Sequence, residues 1–394
     1  MNNTHVIKDA IHDNIKLSDF ECALLDTEEM QKLRGIKQLA VAYLVYPGAN
    51  HTRFEHSLGT MHLTGEFCES FGLGKEETSL LRAAALLHDV GHVAFSHDGE
   101  TVAKNAFKLD HEKLGEEKIK NSKLADIISA NGFSPSEIIS LLRGKGNGQL
   151  ITSEIGADRM DYLLRDSHYT GVAYGVIDYT RLIETAKMHK GKLLIEAGGL
   201  TSVESLLIGR FLMFSAVYLQ HAVRIASSML HKALIYGLEE RALSREQFLA
   251  LDDSSLLRAL ESGRKSKALS LRLQKRILYK RAFELSWVSL NKRGKELLSS
   301  PRGLAELESE FVKEAGIPPE EIALSFYPIL PPPAEAKLSV LIDEREVPLD
   351  EISELTKSIE KAEEKRARLI VAAPKEKLKQ VSSSAEKIFR KLVV

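Results

Sequence analysis

The sequence predicts a mostly α-helical protein with minor β elements and a small α+β C-terminal appendage. Three observations carry that expectation. Apolar residues recur near helical spacing through much of the first 325 positions. No series of strand–helix units appears, which excludes a Rossmann fold and an α/β barrel. The proline run PILPPP at 328–333 then sets a mixed terminal segment apart from the helical body.

The elements follow in order. Residues 1–18 read as an extended or hairpin segment, with Ile11, Ile15 and Leu17 alternating around a turn at Asp13-Asn14. Asp26 or Thr27 caps a helix that carries Met30, Leu33 and Ile36 on one side. Tyr46-Pro47-Gly48 breaks the chain before a helix holding His56, Leu63 and Phe67 that ends near Gly72. Glu76 to Asp89 is the next helix, and Gly91 lets it stop. Lys104 to Asp110 reads as a mobile stretch, followed by helices in HEKLGEEKIK and SKLADIISANG. Ser134-Pro135 starts another helix. RGKGNGQL is a loop, and no phosphate-binding P-loop, because GxxxxGK followed by Ser or Thr is missing. Asp158 to Asp166 and Asp178 to Ala186 are helical, Lys192 to Ile195 a strand, and Thr201 to Leu230 one long apolar core helix. Residues 240–325 stay mostly helical, and the last sixty combine a strand, KLSVLI, with charged helices. The expected divisions are a catalytic core over 1–235, a helical extension over 236–327, a linker at 328–334 and an oligomerisation or regulatory arm over 335–394.

Composition narrows function. Lys plus Arg number 54 and Asp plus Glu 55, a net charge of -1, which excludes a strongly basic polyanion binder but leaves room for a local basic pocket. Nucleic acid is therefore not a predicted partner. Cys22 and Cys68 make neither a disulfide framework nor a cysteine metal site. The start lacks a signal-peptide core, and the runs Leu39 to Tyr46 and Phe211 to Leu219 are too short to span a bilayer. A cytoplasmic protein without membrane contact is expected. Nine of the 13 histidines fall at or before His111, which points to chemistry there.

Four residues stand out: His56 in HTRFEHS, the pair His88-Asp89 in LLHDVGH, and Asp158 in GADRMDY. Imidazole nitrogen and carboxylate oxygen suit one divalent metal among Mn, Fe, Ni, Zn and Mg, and separate helices can deliver them to one point. Residue types and spacing leave a hydrogen-bonded surface pair equally open. His92 lies one turn past His88, His111 can pair with it if residues 98–110 fold back, and Glu100 can orient one imidazole. Asp158, Tyr162 and Asp166 share one helix face, whereas Asp161 points to another and reads as structural.

HTRFEHSLG, LLHDVGHVAFSH, His111-Glu112 and ADRMDYLLRD, in that order, resemble the HD-domain phosphohydrolases. Among them they are similar to the dGTPase-like deoxynucleoside triphosphate triphosphohydrolases, including vertebrate members that join a sterile alpha motif, which is not read here. The resemblance runs from about Ile11 to at least Arg224 and implies an HD-domain helical bundle. It implies metal ligands at His56, His88, Asp89 and Asp158, and proton transfer at His92 and His111 with Glu100 as acidic partner. It also implies phosphate contacts at His97, Arg53, Arg159 and Arg210, sugar contacts at Tyr162 and Asp166, and closure on the 2′ side by Gln38, Leu39 and Tyr218. Arg159 stands where relatives carry lysine, and Phe214 where the vertebrate enzyme carries histidine.

The activity so implied is hydrolysis of dNTP to deoxynucleoside and triphosphate, with an additional Mg accompanying the nucleotide. Asp26, Gln31 and Arg34 match a regulatory site for GTP or dGTP, in a dimer or tetramer. The alternatives are an HD enzyme for another nucleotide or phosphoester, and a nucleotide sensor or nucleic-acid binder with weak hydrolysis.

Overall fold

In chain order the computed structural model contains β1 (His5–Asp9), β2 (Asp13–Leu17), α1 (Asp19–Leu25), α2 (Glu28–Lys32), α3 (Arg53–Ser70), α4 (Lys75–Leu87), α5 (Ser96–Phe107), α6 (His111–Asn121), α7 (Lys123–Ala130), α8 (Pro135–Leu142), α9 (Gln149–Thr152), α10 (Ala157–Thr170), α11 (Tyr179–Thr185), β3 (Ala186–His189), β4 (Lys192–Glu196) and α12 (Leu200–Met213). There follow α13 (His221–Glu239), α14 (Arg245–Ala250), α15 (Asp253–Ala259), α16 (Lys265–Gln274), β5 (Lys280–Ser286), α17 (Lys292–Leu298), α18 (Pro301–Ala315), β6 (Ala323–Phe326), β7 (Ser339–Ile342), β8 (Arg345–Pro348), α19 (Leu349–Ile352), α20 (Glu354–Glu364), β9 (Arg368–Ala373) and α21 (Leu378–Phe389). The structure describes residues 5–326 and 338–393, so the proline linker at 328–334 lies outside the described residues. These divide into two units: 5–213 with 250–253 and 338–356, and 214–249 with 254–326 and 357–393.

The first unit is a helical body around α3. Thr52 and Glu55 form a capping box that starts this helix, as Ser18 with Glu21 and Ser134 with Glu137 do for α1 and α8. Helix α3 packs against α4 and α10 and buries Phe54, Leu58, Met61, Leu63 and Phe67. It is buried on most sides, so its sequence lacks a clean amphipathic stripe. The N-terminal hairpin pairs Ile7 with Ile15, and Ile15 and Leu17 face inward. A four-stranded sheet runs β3-β4-β7-β8, with β7 parallel to β4 at Ile195–Val340. KLSVLI therefore completes a sheet of the first unit, because its buried Val340 and Leu341 find the apolar edge of β4 there.

The second unit carries the antiparallel sheet β5-β9-β6, against which α21 packs. Its core gathers Phe311, Leu369, Val371, Val381, Ile388 and Phe389, with the Phe311 and Phe389 rings 5.6 Å apart. Phe311→Ala is expected to lower the unfolding free energy of this unit by about 3–5 kcal/mol. Urea denaturation followed through Trp287, the sole tryptophan and a neighbour of this core, measures it; a midpoint equal to wild type contradicts it.

Several local expectations are corrected. Lys104 to Phe107 belongs to α5. The long apolar helix over 201–230 is interrupted: a π turn over Phe214–Tyr218 unwinds it, and Gln220 caps α13 by accepting from the Ala222 and Val223 amides. Residues 240–325 are mostly helical, as expected, and additionally contain the strands β5 and β6. The run Ala197–Tyr218 spans 22 residues and is long and apolar enough to cross a membrane by length and composition, contrary to the expectation that every apolar run is too short. Its α12 portion contacts α10 and α11, and Val203, Leu206, Leu207 and Met213 on it are buried.

Candidate active site

Three helices aim donors at one point in the first unit. His56 comes from the first turn of α3, His88 from the C-cap of α4, and Asp158 from the first turn of α10. Their donor atoms all lie within 4.8 Å of one another. His56 Nε2 is 3.2 Å from His88 Nε2 and 3.1 Å from Asp158 Oδ1. The other nitrogen of each ring is already engaged: His56 Nδ1 donates to Asp161 Oδ2 at 2.7 Å and His88 Nδ1 donates to the Ala85 carbonyl at 2.7 Å. Those bonds assign the proton to Nδ1 and leave a lone pair on each Nε2. Two lone pairs and a carboxylate thus face one another, an arrangement that calls for a cation. Asp89 stands beside it, with Oδ1 3.5 Å from His88 Nε2 and Oδ2 3.8 Å from His56 Nε2.

The electrostatics show the same demand for positive charge. Burial opposes charge on His56, yet hydrogen bonds to Asp158 and Asp161 and the charge of Asp89 prevail and push it up to about 10, so a second proton on Nε2 competes with a cation for that lone pair. Burial likewise opposes ionisation of Asp89 and Asp158, but Arg53 and His88 hold Asp89 well below the usual carboxylate range, and His56 and His88 lower Asp158. The site is a ready-made place for one divalent metal, and imidazole with carboxylate leaves its identity among Mn, Fe, Ni, Zn and Mg open. Bound there, such a metal supplies Lewis acidity toward a phosphate oxygen and neutralises its charge.

Asp161 is the support beneath this site. It is fully buried and accepts from His56, from His12 Nε2 at 2.7 Å, and from Arg165 at 2.9 Å through each of two nitrogens. Arg165 also reaches Asp9 at 2.9 Å, so the N-terminal hairpin braces a metal ligand. Gly59 makes this approach possible, since a Cβ there would come within 1.8 Å of Asp161 Oδ1. The face geometry does separate Asp161 from Asp158, but it turns Asp161 toward His56. Asp161→Asn is expected to weaken metal affinity about 10–100-fold while the Arg165–Asp9 pair keeps the fold. Competition with a chromophoric chelator reads this, and an unchanged affinity refutes it.

Beside the metal site lies a histidine cluster. The His92 and His111 rings stack at 4.2 Å with an interplanar angle of 9°, and His97 meets His92 edge-on at 5.1 Å. Buried Glu100 holds two of the three, accepting from His111 Nδ1 at 2.7 Å and from His97 Nδ1 at 2.9 Å. It also accepts the His111 backbone N–H at 3.1 Å. Burial raises the Glu100 carboxyl, but these hydrogen bonds from His111 and His97 outweigh it and hold it far below the carboxylate range. His111 is raised because its bond to Glu100 outweighs burial, whereas burial and the Arg53 charge push His92 well down. His92 Nε2 lies 3.3 Å from Asp89 Oδ1. Gly91 acts here through space rather than by ending a helix: a Cβ would come within 1.9 Å of the His111 carbonyl and 2.3 Å of the Gly115 nitrogen. Its absence lets α6 bring His111 onto His92. Between His92 and His97 the chain passes Phe95 and Ser96, both in the left-handed region at φ 60° and 52°. Each costs roughly 1–2 kcal/mol for a residue with a Cβ.

The remaining site candidates are distributed as follows. Arg53 is buried, with Nη1 on Asp89 Oδ2 at 2.5 Å and Nε on Ser96 Oγ at 2.8 Å. Arg159 pairs with Glu154, and its charge and that of Arg210 act on Tyr162, whose hydroxyl burial nevertheless pushes up. Asp166 accepts from buried His51 Nε2 at 2.8 Å. Gln38 donates its backbone N–H to the His51 carbonyl at 3.0 Å, and its side-chain oxygen is buried without a protein hydrogen bond. Leu39 is half-buried beside it. His97 is 70% exposed. Tyr218 belongs to the second unit, where its ring meets Phe214 edge-on at 4.9 Å. Asp26 is exposed at the end of α1, while Gln31 accepts from Arg34 Nε at 2.9 Å and Arg34 lies 3.6 Å over the Phe54 ring. Sequence reading passes over Asp9, His12, His51 and Arg165. The only local signal was the spacing of Asp161 from Asp158 and Arg165; the partners of the others are distant in the chain.

A helical body with a His-His-Asp metal site and a carboxylate-held histidine cluster next to it defines a metal-dependent phosphohydrolase of the HD type. Residues 53–166 match the HD domain and 177–391 the HD associated region, and the chain belongs to the HD-domain phosphohydrolase superfamily. It is 39% identical over 383 residues to an uncharacterized protein of Methanocaldococcus jannaschii, covering 95% of this chain and 80% of that one. It is 28% identical over 311 residues to the Dictyostelium discoideum homolog of deoxynucleoside triphosphate triphosphohydrolase SAMHD1, covering 70% of this chain and 59% of that one. The crystal structure of a hypothetical protein from Aquifex aeolicus matches with a TM-score of 0.79 at 28% identity, over 97% of this chain and all of that one.

Proposed function

We propose that this phosphohydrolase cleaves deoxynucleoside triphosphates to deoxynucleoside and inorganic triphosphate. The observation that carries the reading is the Glu100-held His111–His92 pair standing next to the metal site. In the reaction water adds to the α-phosphorus and gives up a proton to solvent, which restores the donor, while the bond to the 5′-oxygen breaks and that oxygen takes up a proton. His111, made more basic by Glu100, gives that proton. His97, Arg53, Arg159 and Arg210 neutralise the triphosphate, with an additional Mg accompanying the nucleotide. Tyr162 and Asp166 take the sugar, and Gln38 and Leu39 exclude a 2′-hydroxyl. The unpartnered oxygen of Gln38 is suited to a ligand donor. Similarity to a named deoxynucleoside triphosphate triphosphohydrolase supports the same substrate class. Asp26, Gln31 and Arg34 bind a GTP or dGTP activator, in a cytoplasmic homo-oligomer.

A second reading, hydrolysis of a different nucleotide or phosphoester, is favoured by two engagements: Arg53 is taken by Asp89 and Asp166 by His51. Anion-exchange analysis of products from each dNTP and from GTP, with Mg or Mn, singly and mixed, separates the two. Deoxynucleoside with intact triphosphate, lost in H88A/D89A, is the expected result. A need for a second nucleotide supports the regulatory site. No turnover of any dNTP in any mixture rejects the dNTP reading.

A further inference from the structure

Residues 250–253 belong to the first unit although the chain on both sides of them belongs to the second. They lie far outside the HD domain match and within the HD associated region. Asp253 ends this short excursion and is buried. Its two carboxylate oxygens reach different segments: Oδ1 accepts the Phe95 N–H at 2.7 Å and Oδ2 the Lys37 N–H at 3.0 Å. Ser96 Oγ donates to the Lys37 carbonyl at 2.6 Å. Asp253, Lys37, Ser96 and Phe95 therefore close a ring of hydrogen bonds. On one side of it Lys37 is followed by Gln38 and Leu39. On the other, the left-handed pair Phe95-Ser96 separates His92 from His97 and Glu100. Arg53 ties the ring to Asp89 by bonding both Ser96 and Asp89.

We infer that Asp253 is a positioning residue, supplied by the HD associated region, that holds the histidine-cluster turn and the Gln38–Leu39 loop in register with each other. An amide in a left-handed turn has no regular ladder to join, and Lys37 turns its N–H away from its neighbours' pairing with residues 51–53. One carboxylate serves both, because only an ionised group offers two acceptor oxygens and no donor. Asparagine keeps one acceptor and places an NH2 against the other amide. The ring acts on the roles assigned to His92, His97 and Glu100 above, so its kinetic part rests on that reading.

The test compares Asp253→Asn, Asp253→Ala and Ser96→Ala with the full-length wild type. Hydrogen exchange, measured without nucleotide, is expected to rise at least about tenfold at residues 37–40 and 93–97 and to stay unchanged in α3 and α10. Metal content is expected to remain at wild-type level. On whichever phosphoester the wild type hydrolyses, Asp253→Asn is expected to lower kcat about a hundredfold with KM within about threefold. Asp253→Asn and Ser96→Ala combined are expected to lose less than the product of their separate losses. Unchanged exchange at both segments in Asp253→Asn overturns the inference. So does faster exchange spread evenly over the first unit, which marks a purely structural residue. If Asp253→Ala does not fold, Asp253→Asn alone decides. Lack of dNTP turnover by the wild type removes the dNTP reading and leaves the exchange result standing.

Discussion

His56→Ala is expected to abolish stoichiometric metal binding and to lower phosphohydrolase kcat/KM by more than about a thousandfold. The reason is geometric. His56 Nε2 sits between the two other donors, 3.2 Å from His88 Nε2 and 3.1 Å from Asp158 Oδ1, so its removal leaves His88 and Asp158 without the group that links them, with Asp89 alongside. The fold is expected to survive, because Asp161 retains its bonds from His12 and Arg165 after losing the one from His56. Elemental analysis after dialysis, with a thermal melt as control, separates loss of metal from loss of fold. Added metal is expected to restore chelator-stripped wild type and not the variant. A folded His56→Ala protein that binds one equivalent of metal with wild-type affinity refutes this assignment of the ligand.

Glu100→Gln is expected to lower kcat about a hundred- to a thousandfold with metal content unchanged. The carboxylate receives His111 Nδ1 on one oxygen and His97 Nδ1 on the other. Glutamine presents an NH2 at one of these, so at least one imidazole loses its orientation. The pH profile carries the sharper test. Burial alone would make His111 harder to protonate, but its bond to Glu100 raises its pKa above the ordinary histidine value. If His111 acts as the protonated donor, activity is present below that raised pKa and is lost as pH rises through it. Neutralising Glu100 lowers the pKa, so the same loss is expected to begin at lower pH in the variant. Steady-state rates across pH at saturating substrate measure it. A Glu100→Gln profile that overlays wild type, or shifts to higher pH, contradicts the role of His111 as donor.

The two variants act on neighbouring but separate parts. Removing a ligand should empty the metal site and leave the histidine stack in place. Removing Glu100 should do the reverse. Asp89 is the point where the parts meet, since it lies near His56, His88 and His92 and is neutralised by Arg53. Its strongly lowered pKa keeps it ionised through the pH range of either experiment.

Much of this could be read from residues. The helix start at Ser134-Pro135, the N-terminal hairpin, and the segments carrying His56, His88 and Asp158 are written in local spacing and capping chemistry, which act within one or two turns. The clustering of histidines before His111 likewise marked the chemistry, and resemblance supplied the ligand set that spacing alone left open. The break in the long apolar helix at Gln220 was not legible, because a π turn keeps apolar composition while changing the hydrogen-bond pattern. Nor was the destination of KLSVLI, which any buried sheet edge of matching register could have accepted.

The sequence by itself determined the helical class and the order of the motif-bearing helices, and its resemblance to a family named candidate metal donors. Tertiary structure decided what holds those donors and what they meet. His12 reaches Asp161 across 149 positions, His51 reaches Asp166 across 115, and Asp253 reaches Phe95 across 158. Each is a buried polar group whose partner is chosen by packing, since leaving it unpaired away from water costs more than any local preference returns. Periodicity and capping report only near neighbours along the chain. The supports of the site come from segments that only folding brings together.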